Sequence, residues 1–305
     1  MTDQKSLSGR AWAELMLLAA IWGGSFLSIR VALDEIGFVT SVAHRVVWAA
    51  LVLWVFVLLR RIPIPRAPSV WAAFLVMGLL NNVIPFSLMA WGQLHIETGL
   101  TSILNAATAI FGVVVAAAVF HDERLTLRRG IGVGLGFLGV ATAIGFDSLL
   151  SFDLRSLAQL AVLGGTLSYA LASAWARRTL SHLPPQLAAA GMLTGSSLVM
   201  LPAAIWLEGT PTMALQADTL IAIAYYAVAA TALAYLLYYR VLAMAGSGNL
   251  MLCTLLIPPV AIVLGAWVRG EALLPQAYLG FVLLALGLLI LDGRLAGRMF
   301  QKSGA

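Results

Sequence analysis

His44 and Arg45 are the residues best suited to chemistry in an otherwise apolar stretch, because Arg45 is followed by fourteen uncharged residues up to Leu59. A guanidinium presents a rigid fork of donors that matches two carboxylate oxygens. Turned into a helix bundle, Arg45 would bind an anionic substrate group; turned to the membrane edge, it would snorkel and anchor its helix. The sequence leaves both readings open. Arg30 faces the same choice and reads as an anchor. An imidazole titrates near neutrality, which makes His44 a candidate for proton exchange.

The other polar groups within apolar stretches are mostly uncharged: Ser25, Ser28, Asn81, Asn82, Asn105, Thr108, Thr166, Ser168, Tyr169, Thr231, Tyr235, Tyr238 and Tyr239. Such groups either cross-link helices in lipid or line a wet cavity. Their recurrence predicts a cavity lined by Trp22, Ser25, His44, Arg45, Trp48, Asn82, Trp91, Asn105, Tyr169, Tyr235 and Tyr239. Pro258 and Pro259 withdraw backbone donors from one apolar stretch, and Pro85 does the same after Asn81 and Asn82, so these three are the candidate hinge or gate positions. Gly134, Gly136 and Gly139 spell G-x-G-x-x-G, yet no strand precedes them, and glycines at 130, 132, 134, 136 and 139 read as a close-packing helix face. The apolar stretches hold no acidic pair and no His or Cys cluster, and Cys253 is the only cysteine. No enzyme, cofactor or metal site is therefore expected.

The elements that position these residues follow from composition. The 305-residue chain is 61% hydrophobic and 10% charged, with a mean hydropathy of +0.96, more than one soluble core could bury. An all-α integral membrane protein is expected, with ten helices near 13–33, 39–59, 70–92, 98–120, 129–146, 156–177, 187–207, 219–240, 248–268 and 273–292. With the N-terminus in the cytoplasm, 14 of the 18 Lys and Arg fall on the cytoplasmic side, leaving Arg30, Arg45, Arg155 and Arg269 opposite. That distribution puts both termini on the cytoplasmic side of a bacterial inner membrane. It also accounts for the basic pI of about 9.7 without nucleic acid.

The second half repeats the first. Offsetting residues 88–145 by 148 aligns Glu123 with Glu271, Gly132 with Gly280, Gly139 with Gly287 and Gly145 with Gly293, and twelve of the 58 positions are identical without a gap. Five helices per copy turn the second copy upside down, and an inverted repeat points to alternating access. The copies span 13–146 and 156–292 and read together as one transport domain.

These features resemble a family. Ile21-Trp22-Gly23-Gly24-Ser25-Phe26, the helix 2 arginine Arg45, Asp122-Glu123-Arg124-Leu125-Thr126, Leu256-Ile257-Pro258-Pro259 and Arg269-Gly270-Glu271 are similar, in order and spacing, to the EamA type of the drug/metabolite transporter superfamily. Where that family often has proline in the middle of helix 4, this chain has Thr108-Ala109-Ile110. The resemblance implies a ten-helix secondary carrier with a central cavity, exporting amino acids or other small metabolites in many members and importing them in some. The expected partners are a small polar or amphipathic substrate, the surrounding lipids and a coupling proton, in a monomer or homodimer. A channel and a flippase-like lipid carrier are the competing classes.

Overall fold

The computed structural model describes residues 8–121, 126–144, 154–250 and 252–292. Ten helices make up these residues: α1 (Gly9–Ala32), α2 (Phe38–Leu59), α3 (Pro68–Gly92), α4 (Thr98–Val119), α5 (Leu127–Ile144), α6 (Leu154–Thr179), α7 (Pro185–Leu207), α8 (Ala217–Ala224 continuing to Ala234–Leu250), α9 (Leu252–Arg269) and α10 (Pro275–Asp292). Eight of them are long and apolar enough to cross a bilayer. Glu123, Gly145 and Gly293 lie outside the described residues.

Among the boundaries that depart from the sequence expectation, two are explained locally. Helix α1 begins at Gly9 because Ser8 caps it, its Oγ accepting from the Ala11 amide (3.2 Å), and Arg10 pairs with Glu14 one turn on (3.2 Å). Helix α8 runs to Leu250, so the loop expected at 241–247 is helical. Gly246 and Gly248 are accommodated within it, since a glycine costs a helix only about 1 kcal/mol relative to alanine.

The packing of helices is symmetric between the copies. α2 packs on α7, α4 on α9 and α5 on α10; α1 packs on α8 and α9 as α6 packs on α3 and α4; α8 packs on α2 as α3 packs on α7. Replacing each helix by its repeat mate leaves this set unchanged. The α5–α10 seam shows the symmetry operator. A Cβ at Gly132 would lie 2.9 Å from the Gly287 carbonyl oxygen, and one at Gly139 would lie 2.7 Å from that of Gly280. Early residues of α5 thus meet late residues of α10, so the helices are antiparallel. Each contact exchanges repeat mates, which places a two-fold axis across the seam. The repeats are inverted, and glycine is required where the backbones touch.

One end of the bundle carries the α1–α2, α3–α4, α7–α8 and α9–α10 connections, and it is rich in polar ties. Asp34 binds Arg30 (2.8 Å) and Arg269, Glu97 grips Arg155 with two bonds (3.1 and 2.9 Å), and Glu208 accepts from the Val39 and Thr40 amides at the start of α2 (3.1 and 2.7 Å). The last arrangement places a carboxylate on a helix N-terminus. At the opposite end Glu14 joins Arg240 (2.6 Å) as well as Arg10.

Candidate functional site

Helices α3 and α8 organise the centre. Each widens into a π-helical stretch, Leu79–Val83 and Tyr225–Leu233, and the 148-residue offset maps the first onto 227–231 within the second. A π turn shifts the backbone pairing by one residue and turns carbonyls toward neighbouring helices. Side chains from those helices and from α8 itself take them up. Ser168 Oγ of α6 donates to Leu80 O (2.6 Å), Trp22 Nε1 of α1 donates to Ala230 O (3.1 Å), and Thr231 Oγ1 donates to Tyr226 O (2.7 Å).

Arg45 sits two turns into α2 and reaches between α3 and α8. Its Nε donates to Thr231 Oγ1 (2.9 Å), and its guanidinium carbon lies 3.8 Å from the centre of the Phe86 ring in α3. Phe86 in turn meets Tyr169 of α6 edge to face, 6.4 Å between ring centres. Among the described residues no carboxylate lies within ion-pair distance of Arg45, and its Nη groups have no protein acceptor. The fork of donors is held from behind at Nε and by the ring. Its outer edge carries no protein bond among the described residues.

A polar cluster adjoins it. Tyr235, one turn after Thr231, accepts from Asn81 Nδ2 (3.1 Å) and donates to Asn82 Oδ1 (3.4 Å), while Asn82, fully buried, donates to Ser196 Oγ of α7 (2.9 Å). Asn82 spends its amide on helix cross-linking. Ser25 likewise donates within its own helix, to Trp22 O (2.7 Å). His44 is buried, accepts at Nδ1 from Trp48 Nε1 (3.3 Å) and leaves Nε2 without a partner among the described residues; Trp48 is itself exposed. Trp22 tilts against Tyr238 and Tyr238 meets Tyr239 edge to face (5.9 and 5.2 Å), an aromatic group between α1 and α8.

Other expected residues stand apart from Arg45. Trp91 is edge-on to His95 (4.9 Å), more than one turn beyond Phe86. Asn105 lies where α4 is interrupted: Ala106 and Ala107 separate Thr98–Asn105 from Thr108–Val119, and Thr108 Oγ1 takes the Asn105 carbonyl (2.7 Å). Pro85 follows the α3 π stretch, and a Cβ at Gly165 of α6 would lie 3.3 Å from its Cα. Pro258 and Pro259 lie inside an unbroken α9. The interruption thus falls in the helix without proline. Phe86, Tyr226 and Ser196 join the site without a sequence signal of their own. Among the described residues no group of three His, Cys, Asp or Glu could hold a metal.

The whole chain has relatives. A probable terminal-alkyne amino-acid exporter of Streptantibioticus cattleyicolor is 27% identical over 97% of this chain and 98% of its own length. A probable amino-acid metabolite efflux pump of Escherichia coli is 24% identical over 95% and 97%. A solved crystal structure superposes with a TM-score of 0.68 at 15% identity, covering 96% of this chain and all of that one, which shows a shared fold. The profile of the EamA-like transporter family matches residues 10–145 and again 156–291, one match to each copy of the inverted repeat. The chain is a multi-pass membrane protein and belongs to the EamA-like transporter family.

Proposed function

We propose that this transporter exports amino acids or closely related carboxylates across the inner membrane by alternating access. Both termini are cytoplasmic in this reading, and the two repeats, 13–146 and 156–292, rock as one transport domain. The observation that carries it is Arg45. It is anchored by Thr231 and Phe86, has no carboxylate partner among the described residues, and lies among helices of both repeats. A cation so held prefers a ligand carboxylate, because a charge-assisted bidentate pair is stronger than the neutral bonds it replaces. Phe86 and Tyr169 beside it supply an apolar wall for a side chain. The names of the two relatives point to the same substrate class.

Thermal stabilisation of the purified protein tests the reading, since a ligand of the folded state raises apparent stability. L-Phenylalanine and L-leucine should stabilise the wild type, their methyl esters should not, and Arg45→Ala should abolish the difference. Equal stabilisation by acid and ester would remove the carboxylate role. Movement of lipid headgroups in reconstituted vesicles without amino-acid flux would reassign the protein as a lipid carrier.

A further inference from the structure

The hydrogen bonds that join α3, α7 and α8 fix the direction of two neighbouring amides. Ser196 Oγ lies 2.8 Å from Met192 O and 3.2 Å from Gly78 O, so its proton goes to a carbonyl and a lone pair faces Asn82. Asn82 must then present Nδ2 to Ser196 (2.9 Å), which turns its Oδ1 toward Asn81. Asn81 answers with its own Nδ2, which donates to Asn82 Oδ1 (3.2 Å) and to Tyr235 Oη (3.1 Å). Reversing the Asn81 amide would set two oxygens against each other. Its Oδ1 therefore points away from this chain of bonds and receives none among the described residues. Asn82 is fully buried, whereas Asn81 is only partly buried, so the unused acceptor stays open to the space between the helices.

That acceptor lies one helical turn from the Arg45 contacts. Asn82 precedes Phe86 by four residues on α3, and Tyr235 follows Thr231 by four on α8. The Asn81 and Asn82 bonds to Tyr235 and the contacts of Arg45 with Phe86 and Thr231 thus cross the same gap at successive levels. Tyr235 is within electrostatic reach of the guanidinium. Levels one turn apart are separated by about 5.4 Å, a span that two covalent bonds and a hydrogen bond of about 2.9 Å at each end can bridge. A substrate whose carboxylate takes the outer edge of the Arg45 fork would therefore bring the group on its α-carbon to Asn81. A neutral acceptor suits that place, because a protein carboxylate there would pair with Arg45 and occupy the fork. An ammonium arriving alone would be repelled by the guanidinium, but one that arrives beside its own carboxylate is compensated.

We infer that Asn81 Oδ1 accepts a hydrogen bond from the α-ammonium of the substrate, so that the carrier takes zwitterionic α-amino acids and rejects acids that lack the amine. The inference deepens the export reading and rests on Arg45 holding the carboxylate. Ser196, Asn82 and Tyr235 act as positioning residues, since they hold the Asn81 oxygen toward the ligand without touching it. An acid without the amine leaves that oxygen unpaired, and a site built to bond a substrate N–H discriminates strongly against an analogue without it.

Three probes test this on the purified full chain. L-Phenylalanine, L-phenyllactate and 3-phenylpropionate carry an ammonium, a hydroxyl and a hydrogen on the same α-carbon beside the same carboxylate. Concentration series of thermal stabilisation give the affinity for each. Wild type should bind L-phenylalanine at least about tenfold more tightly than 3-phenylpropionate, with L-phenyllactate between them. Asn81→Ala should bring the three within about twofold of one another by weakening L-phenylalanine alone, while 3-phenylpropionate stays within about threefold of its wild-type affinity. Asn81→Leu keeps the volume and replaces the alanine variant if that one does not insert. A variant that weakens 3-phenylpropionate as much as L-phenylalanine shows a structural role for Asn81 and overturns the proposal. So does a wild-type preference that survives the substitution, or L-phenyllactate bound as tightly as L-phenylalanine. Equal binding of all three by wild type leaves the carboxylate reading of Arg45 intact and overturns only the role of Asn81. Binding of none refutes the carboxylate reading and this proposal with it.

Discussion

The two repeats agree where helices seal and differ where a ligand would bind. Gly132 and Gly139 of α5 have glycine mates in α10, and the π stretches of α3 and α8 fall at the same repeat position. Around Arg45 the match ends. Its mate is Leu193, the mates of Asn81 and Asn82 are Ala229 and Ala230, and the mate of Thr231 is Val83. In the proposed carrier, a two-fold backbone would give two equivalent ways to rock, whereas an asymmetric set of side chains would give a substrate without two-fold symmetry one pose.

The largest effect should come from breaking the symmetric part. Gly139→Leu drives a side chain into the backbone of Leu284 and Gly280, and Gly280→Leu drives one into Ala143 and Gly139. Overpacking costs about 1–3 kcal/mol even where side chains can move, and more against backbone. Both variants should lose most monodisperse protein in detergent, to the same extent. Gly134→Leu, on the same helix with open space around it, should behave as wild type. A tolerant Gly139 beside an intolerant Gly280 would break the equivalence of the two sides.

Next comes the asymmetric part. Arg45→Ala should fold and insert normally yet weaken a carboxylate substrate by about 10- to 100-fold, since hydrogen bonds to a charged group contribute about 1.5–3 kcal/mol. Arg45→Lys should recover only part of this, because an ammonium lacks the planar fork. Thr231→Val should cost less. It leaves the guanidinium charge in place but removes the acceptor for Nε and the donor to Tyr226 O, for about 1 kcal/mol and roughly a fivefold rise in KM. Substrate-concentration series of exchange in proteoliposomes measure all three.

The same division explains what could be read from the sequence. The α5–α10 seam was legible because its glycines recur at a fixed offset, and a backbone contact demands glycine whatever surrounds it. The ten helices were legible from apolar length alone. The direction of Arg45 was not, because a helix apolar on every face has no periodicity to say which side meets lipid. The interruption of α4 was hidden too. Prolines mark α9, yet they sit in unbroken helix, and the break in α4 arises at two alanines followed by a threonine hydroxyl that takes the Asn105 carbonyl. The end of α8 was hidden because a charged residue, Arg240, interrupts the apolar run, whereas the helix continues through it to Leu250.

The smallest effect concerns the two ends. Asp34 and Arg269 clasp one end, and their repeat mates at the other are His182 and His121, which form no ion pair among the described residues. Partial burial raises the Asp34 carboxyl, but its bonds to Arg269 and its proximity to Arg30 outweigh this and hold it below the usual carboxylate range. Because the folded state keeps the proton off, the clasp contributes fully above the ordinary carboxylate pKa and is lost as pH falls through the depressed one. Asp34 is substantially exposed, so screening limits the gain to under about 1 kcal/mol. Asp34→Asn should lower Tm by a few degrees at most near neutral pH. The gap should close in strong acid and shrink in high salt, as it must if one end differs from the other by a charge pair alone. A gap that persists in acid would show that the Asp34 loop holds its end by packing instead, and the two ends would then differ in shape as well as charge.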